Sequence, residues 1–352
     1  MRICYFGIYG PSSAPRDKVY VEGLKMLGVE FLECVDSLRS FWKFWALFKK
    51  HRSIRNDYDI MWVGYLSGTA TPLAKLISKK KVIFNALNSM YESNVLDQKR
   101  YGRFSPKAIA FWCADFLAFH MSDVILVESE QQKEFLSKMF WINKSKLYVV
   151  FSSIDGEIFH PNTAVNKKKK FTVIFRGWFA NATGAEYILE AAKILKRKMV
   201  DIDIIMIGRG QRQNEIKKTI LDDNLSNVQL IMDFLPPKKL RDTMLSAHVM
   251  LGQFSPHSRM DRTIQYKTLE AMALGMPYIT RDSMSNRELL TEGVNCIFAR
   301  ADDPQDIVDK ILELKNNESL RKKISAGARD LYEAKLTPAV LGRQVMDILK
   351  SF

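Results

Sequence analysis

The chain has 352 residues, of which 47% are hydrophobic and 26% are charged. This length exceeds what one ordinary core supports, so we expect two domains of about 150 residues each in a globular rather than a disordered protein. The net charge of +14 predicts a polyanionic partner, such as nucleotide phosphates or an anionic membrane surface. The chain has no arginine-rich arm, zinc-finger spacing or aromatic RNA-binding motif, which argues against nucleic acid as that partner.

The first half of the chain alternates short apolar runs with longer helical patterns. This alternation predicts β-α-β units and therefore a parallel sheet that is covered on both faces. The predicted strands are Arg2–Ile8, Val29–Val35, Asp59–Gly64, Lys81–Leu87, Asp123–Glu128 and Leu147–Phe151.

One helical pattern in this half, Arg39–Arg52, is unusual for a soluble surface. Aromatic residues fall on one side of its helical wheel and cations on the other: Phe41, Phe44, Trp45 and Phe48 against Arg39, Lys43 and Lys50. Two interpretations stay open, an interfacial helix on an anionic bilayer and a helix that packs its aromatic residues onto the sheet. The positive net charge favours the first and predicts a peripheral membrane protein.

A break at Ile158–Asn162 leads into the lysine-rich stretch Asn166–Lys170, which is typical of an exposed linker. The alternation then restarts and predicts a second doubly wound sheet, with the active site in the cleft where two such sheets face each other. The strands predicted here are Phe171–Phe175, Asp203–Ile207, Val228–Met232, His248–Leu251, Pro277–Thr280 and Asn295–Phe298. A helix start at Asp303 and Pro304 predicts a helical segment to the end of the chain.

The cysteines and the N-terminus bear on location. The four cysteines form no C-x-x-C pair and have no paired histidines nearby, so neither disulfides nor a zinc site is predicted. The first apolar run is too short for a signal peptide, and no run reaches the about 18 residues of a membrane-spanning helix. We therefore expect a cytoplasmic protein that can lie on the inner face of the cell membrane.

The most informative segment is Tyr266–Thr280, which predicts a helix that ends at Gly275 and a strand that begins at Pro277. Glu270 would lie near the first turns of this helix, where amide dipoles favour negative charge. A carboxylate in that position can accept two hydrogen bonds from a ribose diol. The alternative is that this carboxylate only interacts with the dipole at the helix N-terminus and binds no ligand.

The run from Lys267 to Ala273, with Gly275 and Pro277, resembles the signature of group 1 glycosyltransferases, the GT-B family also called family 4. Further segments resemble motifs of that family in the expected order: Ser122–Ser129, Val149–Asp155, Phe159–Pro161 and Gly184–Ala192. The resemblance implies an α/β fold of the GT-B class, with two Rossmann-like domains facing across a cleft. Its implied parts are an acceptor-binding domain at 1–160, a donor-binding domain at 161–335 and a C-terminal helix at 336–352 that packs back on the first domain.

The family resemblance also implies an activity. A glycosyltransferase of the hexosyltransferase type would move a sugar from a nucleoside diphosphate of the UDP or GDP type to a glycan or lipid-linked acceptor. Retention of anomeric configuration and a role in cell-envelope polysaccharide synthesis are the family expectations. No cofactor is expected, and no D-x-D pair with a glycosyltransferase metal role is evident, so we predict a metal-independent reaction in which protein cations neutralise the departing diphosphate.

Two other functions stay open. A nicotinamide-dependent oxidoreductase is disfavoured because the turn Gly208-Arg209-Gly210 lacks the third glycine of the dinucleotide-binding motif, where Gln213 stands. A degenerate protein that only binds nucleotide or membrane is the other alternative.

The donor site departs from the family pattern. Glu270 matches the second glutamate of the family's pair, but Arg262 stands at the first, and Trp178 follows Gly177 where an arginine is usual. We therefore predict that cations ahead of the helix replace the missing contacts to the diphosphate: Arg259, Arg262 and Lys267. A solvated basic loop is the alternative.

Further donor contacts are predicted from loops. Gly177, Gly208 and Gly210 would let the backbone approach the nucleotide, and a plain tight turn is the alternative for the last two. His257 would touch the donor sugar.

The first domain supplies the predicted acceptor side. Gly10 follows the first strand and is predicted to approach the acceptor or the donor phosphates, with a plain strand-to-helix turn as the alternative. Arg16 is predicted to meet an anionic acceptor or to be an ordinary surface arginine. Asn88 stands where relatives place a histidine or aspartate near the reacting sugar. Glu92 and Asp97 are the nearby acids and hence the candidate catalytic bases, unless the leaving phosphate itself is the base.

Overall fold

A computed structural model describes residues 1–38, 40–180 and 182–351. The chain forms two compact units, one of residues 1–153 with 336–352 and one of residues 154–335. The first unit ends before the predicted boundary at 160, and the C-terminal helix belongs to it. Arg39, predicted on the basic side of an amphipathic helix, lies outside the described residues.

The first unit is built on a parallel sheet with the strand order β2-β1-β3-β4-β5-β6. Its strands are β1 (Arg2–Gly7), β2 (Glu30–Val35), β3 (Ile60–Val63), β4 (Val82–Asn85), β5 (Val124–Val127) and β6 (Leu147–Val149). Because both faces of the sheet are covered, its inner strands are continuous apolar runs rather than alternating ones.

Helices cover both faces of this sheet. One face carries α1 (Pro15–Met26) and the last helix of the chain, α13 (Pro338–Lys350). The other face carries α2 (Trp42–Ile54), α3 (Thr71–Ile77), α4 (Pro106–Met121) and α5 (Glu130–Phe140). Successive residues of β1 serve the two layers in turn, as the pleat of a strand requires: Phe6 packs under the four helices and Tyr5 under α1 and α13.

Two glycines allow α1 and α13 to pack backbone against backbone. A Cβ atom on Gly23 would lie 2.9 Å from Cα of Gly342 and would overlap the carbonyl oxygen of Pro338. The side chains of Leu341 and Val345 are buried beneath this contact. The C-terminal residues are therefore part of the core of the first unit.

The second unit has a parallel sheet with the order β12-β11-β10-β7-β8-β9. Its strands are β7 (Thr172–Arg176), β8 (Asp203–Ile207), β9 (Val228–Ile231), β10 (Val249–Leu251), β11 (Tyr278–Arg281) and β12 (Ile297–Ala299). Its helices are α6 (Ala185–Arg197), α7 (Gln213–Asp222), α8 (Pro237–Ser246), α9 (Tyr266–Leu274), α10 (Met284–Leu289), α11 (Pro304–Asn316) and α12 (Glu318–Lys335).

The predicted α/β fold of two doubly wound sheets is confirmed, and each of the twelve predicted strands occurs within two residues of its predicted bounds. The predicted helix start is also present, since the Asp303 side chain accepts from the backbone N–H of Asp306 over 3.0 Å. Within the described ranges, no helix has the length and apolar character needed to cross a membrane.

Candidate ligand-binding site

The carboxyl ends of β7 and β10 lie side by side in the sheet of the second unit. From β7 the chain crosses to β8 on one side, and from β10 it crosses to β11 on the other side. Right-handed crossovers therefore place α6, which follows β7, and α9, which follows β10, on opposite faces of the sheet. A crevice opens at such a switch point, and open parallel sheets bind ligands there. Arg176 ends β7, and Lys267 and Glu270 stand in the first turns of α9.

An ion pair joins these two elements. Nη1 of Arg176 donates to Oε1 of Glu270 over 2.7 Å. Glu270 is buried, and its Oε2 accepts no hydrogen bond from any residue that the structure describes. Burial raises the pKa of the Glu270 carboxyl, while Arg176 and Lys267 act in the opposite direction. Because a buried oxygen without a donor is costly, Oε2 is a strong acceptor for a ligand hydroxyl.

Lys267 is a buried cation beside this pair. Its Nζ lies 4.2 Å from the centre of the Phe175 ring and has no hydrogen-bond partner in the described parts of the chain. Burial, together with the nearby charge of Arg176, lowers the pKa of Lys267 to about 7, and Glu270 acts in the opposite direction. Gly177 makes room for the ammonium group, because a Cβ atom there would lie 2.7 Å from Nζ. An ammonium with three unused donors is suited to an anion.

A pocket of about 320 Å³ adjoins this group at the carboxyl ends of β7, β8 and β9. Its walls include Arg176, Trp178, Arg209, Asp233 and Phe234. The Trp178 and Phe234 side chains are largely exposed, as aromatic rings that stack on a planar ligand would be. Since Arg176 belongs both to the pocket wall and to the ion pair, one ligand can reach both.

Gly208 and Gly210 serve the packing of two loops against each other. A Cβ atom on Gly208 would overlap the carbonyl oxygen of Gly177, and one on Gly210 would lie 2.5 Å from that of Phe179. The N–H of Phe179 donates to the carbonyl oxygen of Arg209 over 3.0 Å and ties the loops together. These contacts give both glycines a packing role. Gly208 also lines the pocket, and the predicted approach of the nucleotide to Gly208 and Gly210 stays a prediction.

Of the three cations predicted to act together, Lys267 lies with Glu270. Arg262 donates from Nη1 to the carbonyl oxygen of Ser258 over 3.1 Å, and Arg259 belongs to the 3-10 turn Ser258–Asp261. His257 caps that turn, because its Nδ1 accepts from the backbone N–H of Arg259 over 3.2 Å. Contacts of Arg259, Arg262 and His257 with a ligand stay predictions.

Sequence reasoning missed two arginines of this site. Arg176 precedes Gly177, whereas the family pattern places an arginine after the glycine, and this reversed pair was a usable signal. Arg281, the last residue of β11, is buried and holds the loop before α9 by donating to the carbonyl oxygen of Ser255 over 2.9 Å and to Oδ1 of Asp261 over 2.5 Å. No sequence pattern distinguished it.

Arg16 was predicted to meet an anionic acceptor or to be an ordinary surface arginine, and the structure contradicts the surface position. It is 0% exposed and donates from Nε to Oδ1 of Asn85 over 2.8 Å and from Nη1 to the Ser152 hydroxyl over 2.8 Å. The guanidinium lies in the core because the end of β4 and the segment that follows β6 supply its acceptors. By contrast, Gly10 is open, since the nearest atom to an added Cβ would be Oε2 of Glu33 at 3.8 Å.

The loop after β4 carries the predicted catalytic acids. Glu92 is buried and accepts from Nε2 of Gln132 over 3.0 Å, which argues against it as a base that must reach a substrate proton. Asp97 ends the π-helical turn Glu92–Asp97 and stays a candidate. Asn88 is partly buried, with the Tyr65 hydroxyl donating to its Oδ1 over 3.2 Å.

Comparison with known proteins shows which family model and which proteins this chain resembles. Residues 157–331 match the family model described as glycosyl transferases group 1. The uncharacterized glycosyltransferase MJ1178 of Methanocaldococcus jannaschii is 25% identical over 209 residues, which cover 59% of this chain and 54% of that protein. The capsular polysaccharide biosynthesis glycosyltransferase CapM of Staphylococcus aureus is 23% identical over 300 residues, covering 81% of this chain and 74% of that protein. The match to MJ1178 thus spans about half of that relative's length.

Among solved structures, Anabaena HepE in complex with UDP superposes on the whole chain. It covers 100% of both chains with a TM-score of 0.73 at 13% sequence identity. At this identity the likeness concerns the fold, and the predicted GT-B class is confirmed.

Proposed function

Through its domain at residues 157–331 the chain belongs to the group 1 glycosyl transferases, and we propose that it transfers a sugar from a nucleoside diphosphate to a glycan or lipid-linked acceptor. The observation that carries the proposal is the buried pair Lys267 and Glu270, joined by the partly exposed Arg176, beside a pocket of about 320 Å³. Lys267 Nζ and Glu270 Oε2 have no hydrogen-bond partner among the described residues. A nucleoside diphosphate offers an anion to the first and hydroxyl donors to the second.

The parts of such a donor fit the site in order. The base lies in the pocket against Trp178 and Phe234, and the ribose hydroxyls donate to Oε2 of Glu270. The diphosphate meets Lys267, Arg176 and the backbone N–H groups at the start of α9. These cations are in place before the reaction, so they stabilise the charge that develops on the leaving diphosphate.

The finer parts of the proposal follow the family and the named relatives. The donor is a hexose nucleotide of the UDP or GDP type, since HepE was solved with UDP. The product is a cell-envelope polysaccharide, a role supported by the name of CapM. Transfer retains the anomeric configuration and proceeds without a metal. We place the reaction in the cytoplasm, at the inner face of the membrane.

Thermal stabilisation by UDP, GDP, ADP, CMP and NAD tests the donor site. A ligand at one hundred times its dissociation constant adds about 2.7 kcal/mol to the free energy of unfolding. We expect this effect with UDP or GDP, followed by release of that diphosphate from its sugar form when acceptor is present. Stabilisation by NAD alone would point to an oxidoreductase. Binding of a nucleoside diphosphate without turnover of any of its sugar forms would point to a degenerate protein.

Donor affinity is expected to fall as the pH rises above 7. The pKa of Lys267 is about 7 in the free chain, and a bound diphosphate would raise it, so binding above pH 7 takes up a proton. The dissociation constant of a nucleotide sugar should stay flat below pH 6.5 and then rise by up to about tenfold per pH unit. Calorimetry in buffers of different ionisation enthalpy measures the proton uptake. A constant affinity from pH 6.5 to 9 would contradict the role of Lys267.

A further inference from the structure

We propose that one face of the first unit binds the surface of an anionic membrane directly. This aromatic-basic face consists of the outward sides of α2 and α4 and the turn before α4: Phe41, Trp42, Trp45, Phe104 and Ile109, with Lys43, Lys49, Arg103 and Lys107. The inference rests on the proposed function only in that a lipid-linked acceptor lies in such a membrane. It adds the surface that makes the contact.

The α2 helix divides its apolar residues between two environments. Leu47 is buried under the sheet, and Phe44 packs against the same core. On the outward side Phe41 is 83% exposed and Trp42 is 71% exposed. Core packing therefore explains only part of the aromatic content of this helix, and the exposed aromatic residues call for an apolar partner.

The α4 helix also divides its apolar residues between the core and the surface. Sequence patterns did not predict this for α4. Its Ala118 and Phe119 lie in the same core cluster as Leu47 of α2, so both helices cover the same face of the sheet, with α3 packed between them. Its outward side exposes Ile109, and Phe104 in the preceding turn is 91% exposed. Both helices start at the carboxyl edge of the sheet, because each follows a strand of a parallel sheet. Their exposed aromatic residues thus share one edge with the loop that carries Asn88.

The charge around these aromatic residues identifies the partner. Residues 37–56 contain six lysines and arginines and residues 98–114 contain four, and neither segment has an aspartate or glutamate. Cations of the face lie over aromatic rings in these two segments, with Lys49 Nζ 5.6 Å from the Trp45 ring and Lys107 Nζ 5.0 Å from the Tyr101 ring. Aromatic rings at the acyl boundary with cations among the headgroups form the pattern of an interfacial helix on an anionic bilayer.

Sedimentation of the full chain with vesicles tests this inference. We expect binding at low salt to phosphatidylcholine vesicles that contain 30% phosphatidylglycerol, and much weaker binding to phosphatidylcholine alone. Phe41→Ser with Trp42→Ser should lower the partition coefficient at least tenfold, and Lys43→Glu with Lys107→Glu should remove most of the preference for anionic lipid. Met26→Ser is the matched control, since Met26 is 66% exposed at the end of α1, on the other face of the sheet.

The outcomes separate this inference from the proposed function. Nucleotide binding should be unchanged in all of these variants, because the substituted residues belong to the first unit and Arg176, Lys267 and Glu270 belong to the second. If the chain does not bind anionic vesicles, or if the Phe41/Trp42 variant binds them as well as the unaltered chain does, the face is not a membrane surface. Sedimentation velocity completes the test: an oligomer that this variant dissociates, without vesicle binding by the unaltered chain, would assign the face to self-association instead.

Discussion

Lys267→Met is expected to lower the affinity for the nucleoside diphosphate about 100-fold, equivalent to about 2.7 kcal/mol, and to leave the chain as stable as before or more stable. The affinity falls because the ammonium group has no hydrogen-bond partner in the described structure and would meet the diphosphate. Stability does not fall because methionine fills a similar volume over Phe175 without a buried charge. Calorimetric titration and chemical unfolding measure the two effects.

A matched variant makes this result specific. Lys218→Met removes an exposed lysine of α7 and should change neither the affinity nor the stability. A structural role for Lys267 predicts the opposite pattern, a loss of several kcal/mol of unfolding free energy with no separate effect on nucleotide affinity. That pattern, or donor binding by Lys267→Met equal to that of the unaltered chain, would remove Lys267 from the site.

Gly23→Ala is expected to destabilise the first unit by about 3 kcal/mol or more, although alanine is the better helix former by about 1 kcal/mol. The new Cβ atom would overlap the carbonyl oxygen of Pro338, so α1 and α13 must move apart. For a unit of this size the loss lowers Tm by about 6 to 12 °C. Tryptophan fluorescence reports this transition, since five of the six tryptophans lie in the first unit.

Gly10→Ala serves as the control for this prediction. Its added Cβ atom would have ordinary contact distances, and its φ of −70° suits any residue. We expect its Tm to match that of the unaltered chain. An equal or higher Tm for Gly23→Ala would mean that the close packing of α1 on α13 does not hold the C-terminal segment in this unit.

The inner strands were predictable because each is a short, mostly apolar run with both faces buried, a property that neighbouring residues express together. The helix end at Gly275 was predictable for a similar local reason, since its φ of +62° is one that glycine adopts without strain. The placement of Glu270 in the first turns of α9 followed from the same segment. Local patterns and the family resemblance therefore located one side of the candidate site.

The other side of that site depends on contacts between distant segments. Arg176 and Glu270 are separated by 94 positions in the chain and meet because β7 and β10 are neighbours in the sheet. The burial of Arg16 has the same origin, since its acceptors come from strands far along the chain. A sequence pattern describes a residue's neighbours in the chain and not its neighbours in space, which is why Arg16 was predicted at the surface and Arg176 was overlooked.

By itself, the sequence determined the α/β class, the two sheets, the family signature and the presence of Glu270 and Lys267 on one helix. Only the tertiary structure decided that Lys267 is a buried cation with a lowered pKa, that Arg176 completes the site, and that α2 exposes Phe41 and Trp42 while it buries Leu47. The physical reason is the same in each case. Periodicity and composition specify which elements form, whereas burial, charge pairing and exposure depend on which elements pack against each other.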